Sequence, residues 1–214
     1  MNPLIDNLGL VLEALGTTLM MAVIAGVGSI LLGVLVTVAR VSPIRALRVA
    51  AFGYVQFFIN VPLLALLLLA VFALPDAGLM LPLTPTAIIV LIVYEAAYVA
   101  EAVRSGVNTV AVGQLEASRA LGLTLAQSLR LVVLPQALRA VVQPIGNVMI
   151  ALAMNTALAA AVGVVELTAA VNKINLVAAQ PILIFSSAGV IYMGIALVIG
   201  LAAGRVERKV AIVR

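Results

Sequence analysis

The chain has 214 residues, 65% of them hydrophobic and 9% charged, with a formal net charge of +4 and neither cysteine nor histidine. With a mean hydropathy of +1.30, too few polar atoms are available to cover a soluble domain of this size. Disulfides, thiolate chemistry, zinc sites, serine–histidine catalysis and histidine proton relays all lose their usual residues.

Charge-free runs cover 14–39, 49–75, 77–94, 140–165 and 174–204. A helix needs about 20 apolar residues to cross the hydrocarbon core. Once the third run continues past Glu95, the pattern predicts five transmembrane helices at 14–39, 49–74, 86–103, 137–163 and 182–204, in one domain over 1–214. The two-residue alternation of barrel strands is missing, so the expected class is all-α integral membrane.

Residues 1–13 hold Asp6 and Glu13 but no Lys or Arg. The basic n-region of a cleavable signal is therefore missing, and the first span reads as a retained anchor. That span carries Gly16, Gly26, Gly28 and Gly33, small residues of the kind that let helices pack closely in lipid. A turn around Pro43 comes next. The second span holds Gln56, Asn60 and Pro62 at membrane depth, and the proline predicts a kink. The loop 75–86 is rich in breakers, with Pro75, Pro82 and Pro85 beside Asp76.

The third span contains Tyr94, Glu95, Tyr98 and Glu101. Glu101 and Arg104 have the spacing of a helical ion pair. A carboxylate at membrane depth is costly and generally faces a cavity, a partner or the bundle interior. Glu95 thus repels anions, binds a cationic substrate or sits protonated, and these readings stay open. Tyr98 suits packing or an interfacial anchor, with a place on a substrate path as the alternative. In the fourth span, Asn155 and Thr156 either bond a substrate in an unwound stretch or bond across helices. A polar segment, 164–181, carries Glu166, Asn172, Lys173 and Asn175, and the fifth span ends in Gly200 and Gly204.

Every basic residue except Lys173 falls in the segments after the first, third and fifth spans. The positive-inside rule makes that side cytoplasmic and leaves the amino terminus outside. The net charge is then a topology signal, and nucleic acid is not an expected partner.

The 104–136 segment is too long for a plain turn. Gln114 to Leu121 reads as a short helix that Gly122 ends in the left-handed conformation. Thr124 starts a second helix with Gln127 as its capping-box partner. Leu125, Leu129, Val132 and Val133 give that helix an apolar face, and Pro135 is expected to close it and turn the chain back to the membrane. The product is a helix–turn–helix elbow.

The run Glu116-Ala117-Ser118-Arg119-Ala120-Leu121-Gly122, followed nine residues later by Val132-Val133-Leu134-Pro135, resembles the EAA loop of ABC importer permeases. Ser118 is the one substitution in the triplet. The flanks, Ala97-Tyr98-Val99-Ala100-Glu101 with Arg104-Ser105-Gly106, Asn155-Thr156-Ala157-Leu158 and Gly163-Val164-Val165-Glu166-Leu167, resemble polar-amino-acid permeases of the histidine/glutamine/glutamate type. Arg104 to Val110 is worded most like actinobacterial glutamate-uptake permeases.

The resemblance implies the type I ABC importer permease fold in a bacterial cytoplasmic membrane. It assigns Glu116, Ala117, Ser118, Arg119, Gly122, Leu134 and Pro135 to coupling with an ATPase. It places Asn60, Pro62, Glu95, Tyr98, Asn155 and Thr156 along a substrate path for glutamate or a relative. No catalytic or metal-binding residue is expected. The implied partners are an ABC ATPase dimer carrying ATP and magnesium, a second permease (this chain again or a paralogue), an external solute-binding protein and membrane lipid. The sequence contains no G-x-x-x-x-G-K-[ST] loop, so this chain is expected to hold no cofactor and to be no enzyme. Two cations usual in the family are replaced: Ile59-Asn60 precedes Val61-Pro62 where an arginine is usual, and Met154 stands where a lysine is usual. Two rival readings are an ion-coupled carrier that uses Glu95 and a membrane scaffold or sensor that docks a cytoplasmic partner.

Overall fold

The computed structural model describes residues 3–209, which form helices joined by short turns, with no strand among them. Arg214 of the last basic segment and the first two residues of the lead-in lie outside the described residues. A single turn, α1 (Pro3–Asp6), leads into α2 (Leu8–Val41). The buried stripe of α2 runs through Val11, Ala14, Thr18, Met21, Ala25, Ser29 and Gly33, a three- and four-residue spacing that aims one face inward. Its most extensive packing is on α5 (Leu83–Asn108).

Glycines set that approach. A Cβ on Gly33 would lie 2.6 Å from Val99 Cβ and 2.9 Å from the Ala96 carbonyl, and one on Gly28 would lie 2.6 Å from Ile92 Cδ1. Gly26 faces Met149 in the same way at 3.3 Å. Gly16 has nothing within 4 Å, so the packing role expected of it has no counterpart among the described residues.

The second span is broken rather than kinked. Its parts, α3 (Arg45–Asn60) and α4 (Leu63–Phe72), are bent by 100° to each other. Pro62 supplies no N–H, and its ring disfavours the helical region for the residue before it. Val61 (φ −106°, ψ 134°) and Pro62 (ψ 130°) are accordingly both extended. Among the described residues, four helices are each long and apolar enough to cross a membrane, and five spans result if the α3–α4 pair counts as one.

After α5 come α6 (Val112–Ala120), α7 (Leu125–Ser128), a π-turn at Leu129–Val133, α8 (Leu134–Asn155) and a 3₁₀ stretch at Thr156–Val162. From Leu125 to Val162 these form one rod of 38 residues. Pro135 therefore does not close a helix, contrary to expectation. The wide turn just ahead of it relieves the clash its ring would make with the Leu131 carbonyl, and the rod continues.

The 164–181 segment is largely helical, as α9 (Leu167–Ala178), and it packs on α2 and α10 (Pro181–Lys209). Glu166, fully buried, accepts from Ala169 N at 2.8 Å and from the Tyr192 hydroxyl at 2.6 Å. Leu167 N donates to Thr18 Oγ1 at 3.0 Å, fixing the start of α9 against α2. Two apolar clusters result. One joins α2, α4, α5 and α8 around Met21, Leu67, Leu91 and Leu152; the other joins α2, α9 and α10 around Val11, Val171 and Ile184.

Candidate functional site

The elbow is built by local bonds that the sequence already carries. Gly122 sits at φ +86°, and α6 ends in a two-bond motif: Gly122 N donates to Arg119 O at 3.0 Å, and Leu123 N to Ser118 O at 3.2 Å. Two residues on, Gln127 N donates to Thr124 Oγ1 at 3.3 Å while Thr124 N donates to Gln127 Oε1 at 2.8 Å, a complete capping box. Arg119 Nη1 adds a bond to Leu123 O at 2.9 Å across the turn.

This geometry exposes Glu116, Ala117, Arg119 and Gly122, together with Leu121 (84% exposed), Leu125, Leu129 and Leu134. Ser118 faces inward, with its hydroxyl donating to Leu115 O at 2.7 Å, and Pro135 is half-buried. Six of the eight exposed side chains of this set are uncharged, so the surface can bury apolar area against a partner, with Glu116 and Arg119 supplying polarity. Thr124→Ala removes one capping bond outright and leaves the other acceptor unpaired. It is expected to cost about 1 kcal/mol locally, read as roughly fivefold faster amide hydrogen exchange over 125–128 while exchange in α5 stays unchanged.

At mid-span, α5 brings the other candidates together. Asn155 Nδ2, at the junction of α8 and the 3₁₀ stretch, donates to Glu95 Oε1 at 2.6 Å, and Glu95 is 2% exposed. One turn along α5, the hydroxyls of Tyr94 and Tyr98 are 3.0 Å apart, and Tyr98 reaches the Ile59 carbonyl at the end of α3 at 3.5 Å. Tyr98 therefore touches the α3–α4 break that contains Asn60 and Pro62, both exposed. Asn60 itself turns back, donating to Gln56 O at 2.7 Å. Thr156 is fully buried and donates to Ala153 O at 2.7 Å, so its hydroxyl serves its own helix. Glu101 pairs with Arg104, as its spacing predicts, and also accepts from Arg40 Nη1 at 2.6 Å, tying α2 to α5 near the elbow.

Two cavities flank the bundle. One of about 520 Å³ lies beside Leu10, Glu13, Thr17, Thr84 and Val165. The other, of about 300 Å³, lies beside Thr109, Gln136, Arg139 and Gln143, where Gln143 Nε2 donates to Glu207 Oε2 at 2.6 Å. Sequence reasoning singled out neither Glu207 nor the buried role of Glu166. The one carboxylate among the basic residues 205–209, and the spacing of Leu167, Ala170, Val171 and Ile174 behind Glu166, were the available signals.

A family model described as "Binding-protein-dependent transport system inner membrane component" matches residues 29–212. The probable glutamine ABC transporter permease protein GlnM of Bacillus subtilis is 37% identical over 131 residues, which is 61% of each chain. The glutamate transport system permease protein GluC of Corynebacterium efficiens is 35% identical over 134 residues, 57% of this chain and 59% of that one. The chain thus spans about three-fifths of the length of the curated relatives it matches. In fold, the crystal structure of an amino acid ABC transporter with histidines superposes with a TM-score of 0.89 at 28% identity, covering 96% of both chains. The expected type I ABC importer permease fold is therefore the observed one.

Proposed function

Since the chain belongs to the family of binding-protein-dependent transport system inner membrane components, we propose that it is the permease subunit of an ATP-driven importer of a polar amino acid, glutamate or a relative. The observation that carries this reading is the elbow, a rigid exposed surface on a connection rich in arginine, locked by the Gly122 cap and the Thr124–Gln127 box. Its exposed face suits the groove of a separate ATPase subunit, which would bring the ATP and magnesium. Closure and reopening of an ATPase pair would push on the elbow, and the rod from Leu125 to Val162 would carry that push to mid-span.

A second permease copy or paralogue and an external solute-binding protein complete the proposed assembly. The basic segments face the cytoplasm and the start of α2 faces outward, by the distribution of arginine. Names of relatives support the amino-acid class. The choice among glutamate and its relatives falls to the charges along the path.

The test is to tag the chain, purify it mildly from its native membrane, and assay the preparation for ATPase and, after reconstitution with the external binding protein, for ATP-dependent uptake. A stable ATPase subunit in the preparation and uptake that stops without ATP are the expected results. A monodisperse chain with no ATPase, or uptake driven by a proton gradient alone, overturns the importer reading.

A further inference from the structure

Resting on the importer reading, we propose that Glu95 is a positioning residue that fixes which atom of Asn155 faces the path, so that the subunit selects amino acids with an uncharged or cationic side chain over those with a second carboxylate. An ionised carboxylate only accepts hydrogen bonds, so the neighbouring amide must turn its NH₂ toward it. Asn155 does so, with Nδ2 2.6 Å from Glu95 Oε1. Its carbonyl oxygen is then turned away from Glu95. That oxygen has no protein partner among the described residues, and it is not among the sealed, unsatisfied buried atoms. An acceptor presented in this way binds an N–H donor, which the ammonium group of an amino acid supplies.

The surrounding charge points the same way. No Lys or Arg occurs between Arg48 and Arg104 or between Arg139 and Lys173, the stretches that contain the α3–α4 break, Tyr98 and Asn155. The two positions where the family usually keeps a cation hold Asn60 (beside Ile59) and Met154. In a zwitterion, the ammonium at Asn155 offsets the α-carboxylate. A second carboxylate has no counter-charge within reach, and Glu95 repels it. At about 8 Å and an effective dielectric of about 20, that repulsion alone exceeds tenfold in affinity. The Tyr98 hydroxyl, shared with Tyr94 and turned to the Ile59 carbonyl, offers a neutral partner for an amide side chain instead.

The experiment is equilibrium binding of radiolabelled glutamine, arginine and glutamate to the purified complex of the chain with its ATPase, without the external binding protein, so that only the membrane subunits discriminate. The wild type is expected to bind glutamine or arginine at least about tenfold more tightly than glutamate. Glu95→Gln leaves the Asn155 amide free to sit either way round and is expected to bring the ratio to within about threefold. Glu95→Asp, which keeps the charge, restores the preference; a purely packing role would not return with charge. Glutamate bound as tightly as glutamine by the wild type, or a ratio indifferent to Glu95→Gln in an assembled complex, overturns the inference and leaves the importer reading intact. A preparation with no ATPase overturns the importer reading and the inference with it.

Discussion

Gly122→Asp is expected to cut ATP-dependent uptake to below a tenth of the wild-type rate while the chain reaches the membrane in normal amounts. A Cβ at this position meets nothing within 4 Å, so no packing is disturbed inside the chain. The backbone sits at φ +86°, which costs a non-glycine residue about 1 kcal/mol, less for Asp and Asn than for others. That loads one cap of a nine-residue helix and leaves the span packing untouched. The larger effect is the new negative charge on the exposed turn between Leu121 and Thr124, where a docked partner would have to desolvate it without a counter-charge. Gly122→Asn separates the two causes. It tolerates the same backbone and adds no charge, so it should retain most of the uptake. Uptake is measured in vesicles reconstituted with the ATPase subunit and the external binding protein, with ATPase retention checked by gel filtration. Normal transport by Gly122→Asp with the ATPase still bound would remove the elbow from the coupling argument.

Gly33→Val is expected to be the most damaging single change to the fold. The added Cβ would stand 2.6 Å from Val99 Cβ and 2.9 Å from the Ala96 carbonyl oxygen, and the second of these is backbone that no rotamer change can move. The helices α2 and α5 must separate along their most extensive contact. Thr37, one turn on, then loses its long hydrogen bond to Ala100 O at 3.4 Å. Overpacking of this kind costs about 3 kcal/mol, at the upper end of the usual range. For a chain of this size that corresponds to a fall in apparent melting temperature of roughly 6–12 °C, measured as loss of the monodisperse peak on heating in detergent. Gly16→Val on the same helix is the control. It meets open space and should move the midpoint little. Equal effects at the two positions would mean that the close approach of α2 and α5 does not limit stability.

What could be read from sequence divides by the range of the interactions. The turn at Gly122 and the Thr124–Gln127 box depend on residues three to five apart, and both formed as their spacing dictates. The Glu101–Arg104 pair is local in the same sense, but its second partner, Arg40, comes from another helix and was invisible in the sequence. What a proline forbids is legible in sequence; how the chain accommodates it is not. Pro62 predicts a bend in a helix. That the bend reaches 100° depends on Val61 also extending and on where α4 finds its packing on α5. Pro135 reads as a stop, whereas a wider turn of the same helix absorbs it. The polar character of 164–181 concealed an amphipathic helix whose buried face recurs at Leu167, Ala170, Val171 and Ile174. The Glu95–Asn155 bond joins residues sixty apart. Each stands out as a polar group in a span, but nothing in a linear pattern says that they meet.

The π-turn at Leu129–Val133 gives the rod a property that length alone does not. A helix carries angular phase as well as position: each residue advances the direction of its side chain by about 100°. The elbow and Asn155 belong to one uninterrupted hydrogen-bonded ladder, from Leu125 to Val162, so the phase at one end is set by the residue count to the other. The widened turn holds one residue more than an α-turn would over the same rise. Tightening it to α geometry would twist everything beyond Leu134 about the rod axis without moving the elbow, and would swing the Asn155 amide off the Glu95 carboxylate. The segment between the two ends is thus a place where rotation, rather than translation, can be stored.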